Sequence, residues 1–162
     1  VSYLHPLQPN LINIQASDLV DAVLKVLDNK IREKEIKLEK EGWQNSVLLN
    51  VDPDLMEQAI YGLLANAIDA SSESSILRIN IINNKNTLKI KIQDNGSGLP
   101  FAPKPGNLEP GPSTKRYGTG LGIPIAFKIC QKHNWKLEFI TKEGKGTTVI
   151  ITAPINLNKV FS

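Results

Sequence analysis

The chain has a single cysteine, no long apolar run and little excess charge, and each scarcity excludes something. One cysteine among 162 residues cannot close an intrachain disulfide, which points to a reducing compartment. Cys130 itself sits in the apolar run IPIAFKIC and reads as a small core side chain rather than a nucleophile. No stretch approaches the roughly 18–20 apolar residues of a membrane span, and the opening VSYLHPLQPN lacks the pattern of a signal peptide. The expectation is a cytoplasmic domain without membrane contact, in a parent protein that can still be membrane-anchored upstream. Net charge is only +3, with 19 basic against 16 acidic side chains, so no nucleic-acid footprint stands out. The lysine-rich run KIREKEIKLEKE alternates with glutamate and reads as a solvated helix face.

A chain of this length is most simply one domain with one core. Residues 1–16 read as an extended lead-in containing the short apolar run Leu11–Ile14. Ser17 or Asp18 can cap a helix to about Lys34, whose apolar positions from Leu19 to Ile31 follow helical spacing. Strands are expected around Ile36–Leu38 and Val47–Val51. Asp54 is expected to cap a long helix to about Ala70, with its core stripe running from Leu55 to Ala67. Two strands follow, 76–82 and 87–93, joined by a polar turn. Leu88, Ile90 and Ile92 share one face of the second, and Lys89, Lys91 and Gln93 share the other. Residues 99–117 hold five of the ten prolines and read as a loop. A helix is expected from Leu121 to His133, then strands at 136–141 and 147–153. Together these make a two-layer α/β sandwich, three helices against a mixed sheet.

Three polar blocks interrupt this apolar framework. Asp94-Asn95-Gly96-Ser97-Gly98 ends a strand, and Asp94 has the parity of the buried face. A buried carboxylate needs a donor, and an adenine exocyclic amine is one. Gly96 and Gly98 would let backbone approach a flat ring. The same residues also suit an ordinary turn. Gly118-Thr119-Gly120-Leu121-Gly122 opens a helix, where unobstructed N–H groups bind anions; it also reads as a glycine hinge. Asn66 lies in an otherwise apolar helix with Gly62 and Asp69 near its face. It suits Mg²⁺, which takes few protein ligands, and it also suits a plain helix surface. The loop between the last two blocks reads as a lid with Lys115 reaching a phosphate. A linker is the other reading, but the roughly 45 residues that follow are too few for a separate domain.

In this order, the blocks resemble the catalytic ATP-binding domain of bacterial sensor histidine kinases. That domain belongs to a superfamily shared with DNA gyrase, the Hsp90 chaperones and MutL. QAIYGLLANAIDAS is similar to the family's N box, DNGSGLP to its G1 box and GTGLG to its G2 box. LEPGPSTK looks like its lid motif, and Gly144-Lys145-Gly146-Thr147-Thr148 looks like its closing glycine turn. The similarity runs from about Pro6 onward. It implies a Bergerat-type fold over 17–156, a lead-in over 1–16 after dimerisation helices that are missing here, and a tail over 157–162.

The resemblance also implies roles. Asn66 would coordinate Mg²⁺ and Asp94 would bond the adenine amine. Gly96, Gly98 and Leu99 would line the base pocket. Ser113, Thr114 and Lys115 would belong to the lid, with Lys115 on the terminal phosphate. Gly118, Thr119, Gly120, Leu121 and Gly122 would wrap the phosphates, and Thr147 or Thr148 would close the adenine side. The implied activity is transfer of the ATP γ-phosphate to a histidine on a separate dimerisation domain, with a response regulator as the parent protein's partner.

Three features depart from the family pattern. Gly62 stands where these kinases usually carry a second asparagine and the hydrolysing relatives a glutamate, so rapid hydrolysis is not expected. His133-Asn134-Trp135 replaces His-Gly-Gly, and Asn134 can take the left-handed conformation of a helix end. Neither His5 nor His133 has the setting of a phosphoacceptor. Two alternatives follow: a degenerate regulatory platform of the same fold without phosphotransfer, and a serine kinase of the anti-sigma type.

Overall fold

The computed structural model describes residues 8–107 and 122–155. Two sheets are present among these residues. The smaller pairs β1 (Ile12–Gln15) with β3 (Leu48–Val51), antiparallel. The larger has five strands in the order β2 (Lys37–Glu41), β4 (Ile76–Asn83), β5 (Thr87–Gln93), β7 (Gly146–Pro154) and β6 (Lys136–Lys142). Its β2–β4 pair is parallel and the other three pairs are antiparallel, so the large sheet is mixed as expected.

Helices α1 (Ala16–Val26), α2 (Asp28–Glu33), α3 (Pro53–Ala70) and α4 (Gly122–Lys132) complete the described elements, with a short 3₁₀ turn at Trp43–Asn45. The single helix expected over 17–34 is therefore two, broken at Leu27, whose ψ is 3°. The apolar spacing concealed the break because Leu27 is a buried pivot common to both helices. Its N–H donates to Val23 O, and its own carbonyl accepts from Ile31 N. A bend at such a residue leaves the stripe continuous. The run 30–41 likewise divides between α2 and β2, so it is not one solvated helix face.

Both expected caps moved. Helix α1 starts without a side-chain cap of its own. Its first N–H groups, those of Ala16 and Ser17, donate instead to Val47 O and Ser46 Oγ. Helix α3 is capped by Asp52, whose Oδ1 accepts from Leu55 N at 3.1 Å, with Pro53 opening the first turn. Asp54 sits inside that turn, where a carboxylate still favours the positive helix end. A proline in the first turn, preceded by aspartate, is the stronger start signal because it lacks an N–H to satisfy.

The core lies between the helices and the large sheet. Leu88, Ile90 and Ile92 of β5 are buried against it, while Lys89, Lys91 and Gln93 are half-exposed on the opposite face. The buried stripe of α3 includes Met56, Ile60, Leu63, Leu64 and Ala67. Cys130 is buried as well, and burial pushes its thiol up to about 12, which fits a core side chain. Asn134 ends α4 with φ 60°, the left-handed conformation expected of it.

Candidate functional site

A row of three polar residues crosses the large sheet at the end of the α3 side. Asp94 follows β5, Thr147 lies on β7, and Thr141 lies on β6 opposite Thr147. All three share the core face with Ile92, Val149 and Phe139, their neighbours two positions away along each strand. The Asp94 N–H donates to Thr147 O at 3.0 Å, extending the β5–β7 ladder by one residue.

Asp94 is 5% exposed. Its Oδ1 accepts from Gly96 N at 2.9 Å and from Thr147 N at 3.3 Å. Burial raises the carboxyl's pKa, and these two N–H bonds only partly offset it. Among the described residues, Oδ2 has no hydrogen-bond donor. One oxygen is thus anchored by backbone, and the other is an acceptor without a partner among the described residues. A ligand amine is the chemistry that satisfies it.

A pocket opens beside this carboxylate. Leu63, Asn66, Ala67 and Ala70 of α3 form one wall, and Ile123 of α4 adjoins them. Phe139, Thr147 and Val149 form the sheet side, and Asp94, Gly98 and Leu99 close the loop side. The lining is mostly apolar with a few polar groups, the usual character of a small-molecule site. The pocket therefore brings together Asn66, Asp94, Gly98, Leu99 and Thr147. Thr148 lies on the opposite, half-exposed face of β7, so of the two threonines only Thr147 reaches the pocket.

The G1-like glycines have structural reasons in the protein itself. A Cβ on Gly96 would stand 2.4 Å from the Ala70 carbonyl oxygen, so the loop packs directly on the end of α3. Gly98 has φ +77°, which favours glycine, and a Cβ there would meet Lys142 O. Close approach to a ring is not needed to explain Gly96, although Gly98 also lines the pocket.

On the other side, α3 and α4 cross at two glycines. A Cβ on Gly62 would lie 3.4 Å from Gly122 Cα, and one on Gly122 would lie 3.7 Å from Asn66 Nδ2. Gly62 thus faces the start of α4 beside Asn66, with room for a methyl but with backbone directly opposite. Asp69, expected near the same face, is exposed and outside the pocket lining. Among the described residues, no cluster of three His, Cys, Asp or Glu side chains could hold a metal ion. A cation beside Asn66 would therefore draw most of its ligands from a bound phosphate and water, which is acceptable to Mg²⁺. Ser113, Thr114, Lys115, Gly118, Thr119, Gly120 and Leu121 lie outside the described residues, as does His5.

Thr141 and Phe139 were not singled out by the sequence. Thr141 Oγ1 accepts the Leu99 N–H at 2.7 Å and lies 3.0 Å from Thr147 Oγ1. Their signal was available only through strand register, since Thr141 faces Thr147 and Phe139 faces Val149.

The family model described as "Histidine kinase-, DNA gyrase B-, and HSP90-like ATPase" matches residues 51–157. Sensor histidine kinase ZraS of Escherichia coli (strain K12) is 26% identical over 159 residues, covering 96% of this chain and 34% of that protein. Sporulation kinase C of Bacillus subtilis (strain 168) is 29% identical over 148 residues, covering 91% of this chain and 33% of that protein. The chain spans about one third of the length of these curated relatives. Among solved structures, the nucleotide-free catalytic domain of histidine kinase ThkA matches with a TM-score of 0.74 at 22% identity, covering 90% of this chain and 97% of that one. At that identity the likeness is one of fold.

Proposed function

The chain belongs to the histidine kinase-, DNA gyrase B- and HSP90-like ATPase family, and from that premise we propose that it is the ATP-binding catalytic domain of a sensor histidine kinase. The observation that carries this reading is Asp94, a nearly buried carboxylate with one oxygen anchored by backbone and the other lacking a donor among the described residues, in a pocket that also contains Asn66. Adenine would enter between α3 and the sheet, with its amine on Asp94. The phosphates would run toward the start of α4, where Gly122 adjoins Asn66.

Asn66 would supply the protein ligand to Mg²⁺, whose chemistry when bound is to neutralise charge on the phosphate oxygens. Lys115, Ser113, Thr114 and the 118–121 segment would contact the phosphates. The rest of the reaction is positioning, because phosphoryl transfer asks for little covalent chemistry from the protein. The acceptor would be a histidine on the dimerisation helices of the parent kinase, and a response regulator would receive the phosphate from there. Location would be cytoplasmic. Among the described residues, no helix is long and apolar enough to cross a membrane.

Calorimetric titration with ATP, with and without Mg²⁺, alongside Asp94→Asn, tests this directly. Binding by the wild type that Asp94→Asn abolishes is the expected result. A folded wild type that binds no ATP under either condition would sink the proposal.

A further inference from the structure

The row Asp94, Thr147, Thr141 contains more information than the position of a carboxylate. A threonine hydroxyl has one proton to donate and lone pairs to accept. Thr141 Oγ1 already accepts the Leu99 N–H at 2.7 Å. Its own proton has two oxygens in reach, Thr147 Oγ1 at 3.0 Å and the Gly146 carbonyl at 3.4 Å. The shorter contact is close to a normal O–H···O length, and the longer lies beyond it. Among the described residues, Thr147 Oγ1 has no other hydrogen bond, and Thr147 lines the pocket.

We propose that Thr141 is a specificity-determining residue: it donates to Thr147 Oγ1, frees the Thr147 proton for the pocket, and so sets the polarity with which the site reads a purine. The inference rests on the nucleotide reading above. The Leu99 N–H occupies Thr141 as a donor to its oxygen, which orients the Thr141 proton away from the loop. That proton occupies a lone pair of Thr147, which leaves Thr147 as a donor. Next to it, Asp94 is an acceptor, and the two are tied at fixed spacing because Thr147 N donates to Asp94 Oδ1. The pocket then presents one acceptor beside one donor.

An adenine edge offers the complement, an amine donor at position 6 and an acceptor nitrogen at position 1. A hypoxanthine or guanine edge offers a carbonyl at position 6 and an N–H at position 1, which is the reverse order. A polar site that meets a reversed edge leaves buried groups unpaired, and discrimination of that kind exceeds what shape alone provides. Thr141 itself touches no base. It acts through Thr147 and Leu99.

The test is a titration of the wild type, Thr141→Val and Thr141→Ser with ATP and with inosine triphosphate. Valine keeps the shape and deletes the hydroxyl, and serine restores it. Thr141→Val should weaken ATP by up to about tenfold, the equivalent of about 1.4 kcal/mol and near the top of what one neutral hydrogen bond contributes. Inosine triphosphate should not weaken in parallel, because a freed Thr147 can turn to accept its N–H. The preference for ATP therefore narrows in valine and returns in serine. If valine folds poorly, Thr141→Ala removes the same hydroxyl with less bulk and must narrow the preference too. An equal loss for both nucleotides, or an unchanged preference, overturns this inference while leaving ATP binding intact. A wild type that binds neither nucleotide overturns the nucleotide reading and this inference with it.

Discussion

His133 Nε2 accepts the backbone N–H of Asp52 at 3.0 Å, joining the end of α4 to the start of α3 across 81 positions of sequence. Its other ring nitrogen, Nδ1, donates to Ile129 O at 2.8 Å. One nitrogen must accept and the other donate, so the ring is neutral with its proton on Nδ1. His133 is therefore a brace between two helices and unavailable as a phosphate acceptor. Replacing it with alanine leaves the Asp52 N–H without its partner and opens a cavity. His133→Ala should cost about 2–4 kcal/mol in chemical denaturation. A loss below half a kilocalorie would mean the brace contributes nothing.

Acid should weaken the same junction. Burial alone would raise the Asp52 carboxyl, but the N–H groups of Asn10, Leu55 and Asp54 outweigh it and hold its pKa below the ordinary value of 3.8. Asp52 thus contributes stability that is present above its unfolded value and lost as pH falls through the folded one. Asp52→Asn should reduce stability at neutral pH and flatten its decline below about pH 4. Denaturation midpoints measured from pH 7 to pH 3 on both proteins check this. Parallel curves would refute it.

Asp94 has the opposite sign. Its carboxyl is raised, so the folded protein holds that proton more tightly than the unfolded chain does. Stability then falls as pH climbs from the unfolded value through the folded one, and at neutral pH the free protein bears a net cost. Asn keeps an oxygen for the Gly96 and Thr147 N–H groups while removing the charge. Asp94→Asn should therefore raise the Tm of the nucleotide-free domain at neutral pH while it abolishes ATP binding. A lowered Tm would show that the charge is compensated within the free fold.

Lys34 caps the far end of α3. Its Nζ donates to the carbonyls of Ile68 at 2.8 Å, Asp69 at 3.1 Å and Ser71 at 2.8 Å. The last carbonyls of a helix have no partners of their own, and a cation there also suits the dipole. The Ala70 carbonyl in this turn is the group against which Gly96 packs. Lys34→Met should lower stability by about 1–3 kcal/mol and shift the Gly96 amide resonance in the free protein. An unmoved Gly96 resonance would separate the cap from the loop.

What could be read from the sequence follows from how local each signal is. Asp94 was legible because alternation along β5 fixes its face and burial of a carboxylate is chemically loud. Asn66 was legible as a polar break in an apolar stripe. Thr141 was not, because its role arises from register between β6 and β7 and from a hydrogen bond to Leu99, 42 positions away. Lys34 was hidden among other lysines for the same reason: its partners are 34 to 37 positions away. The break at Leu27 escaped because a buried pivot preserves helical spacing. Asp52 and Asp54 both flank Pro53, so the sequence alone favours Asp54 as the cap where the structure uses Asp52.

Gly62 offers neither a metal ligand nor a base, and it faces the backbone at the start of α4. Across the α3–α4 crossing, a methyl at position 62 would meet Gly122 Cα at 3.4 Å, an ordinary contact. Alanine also favours a helix over glycine by roughly 1 kcal/mol. Gly62→Ala should therefore be neutral or stabilising by up to about 1 kcal/mol. A longer side chain has no such freedom, because what faces it is backbone, which cannot swing aside. Gly62→Leu should cost about 1–3 kcal/mol as an overpacked contact. It should also weaken ATP binding, since α4 can yield only by moving the segment that starts at Gly122 away from Asn66. The pair of variants separates size from chemistry. If Gly62→Leu matches Gly62→Ala in stability and in ATP affinity, the crossing does not position the phosphate side of the site.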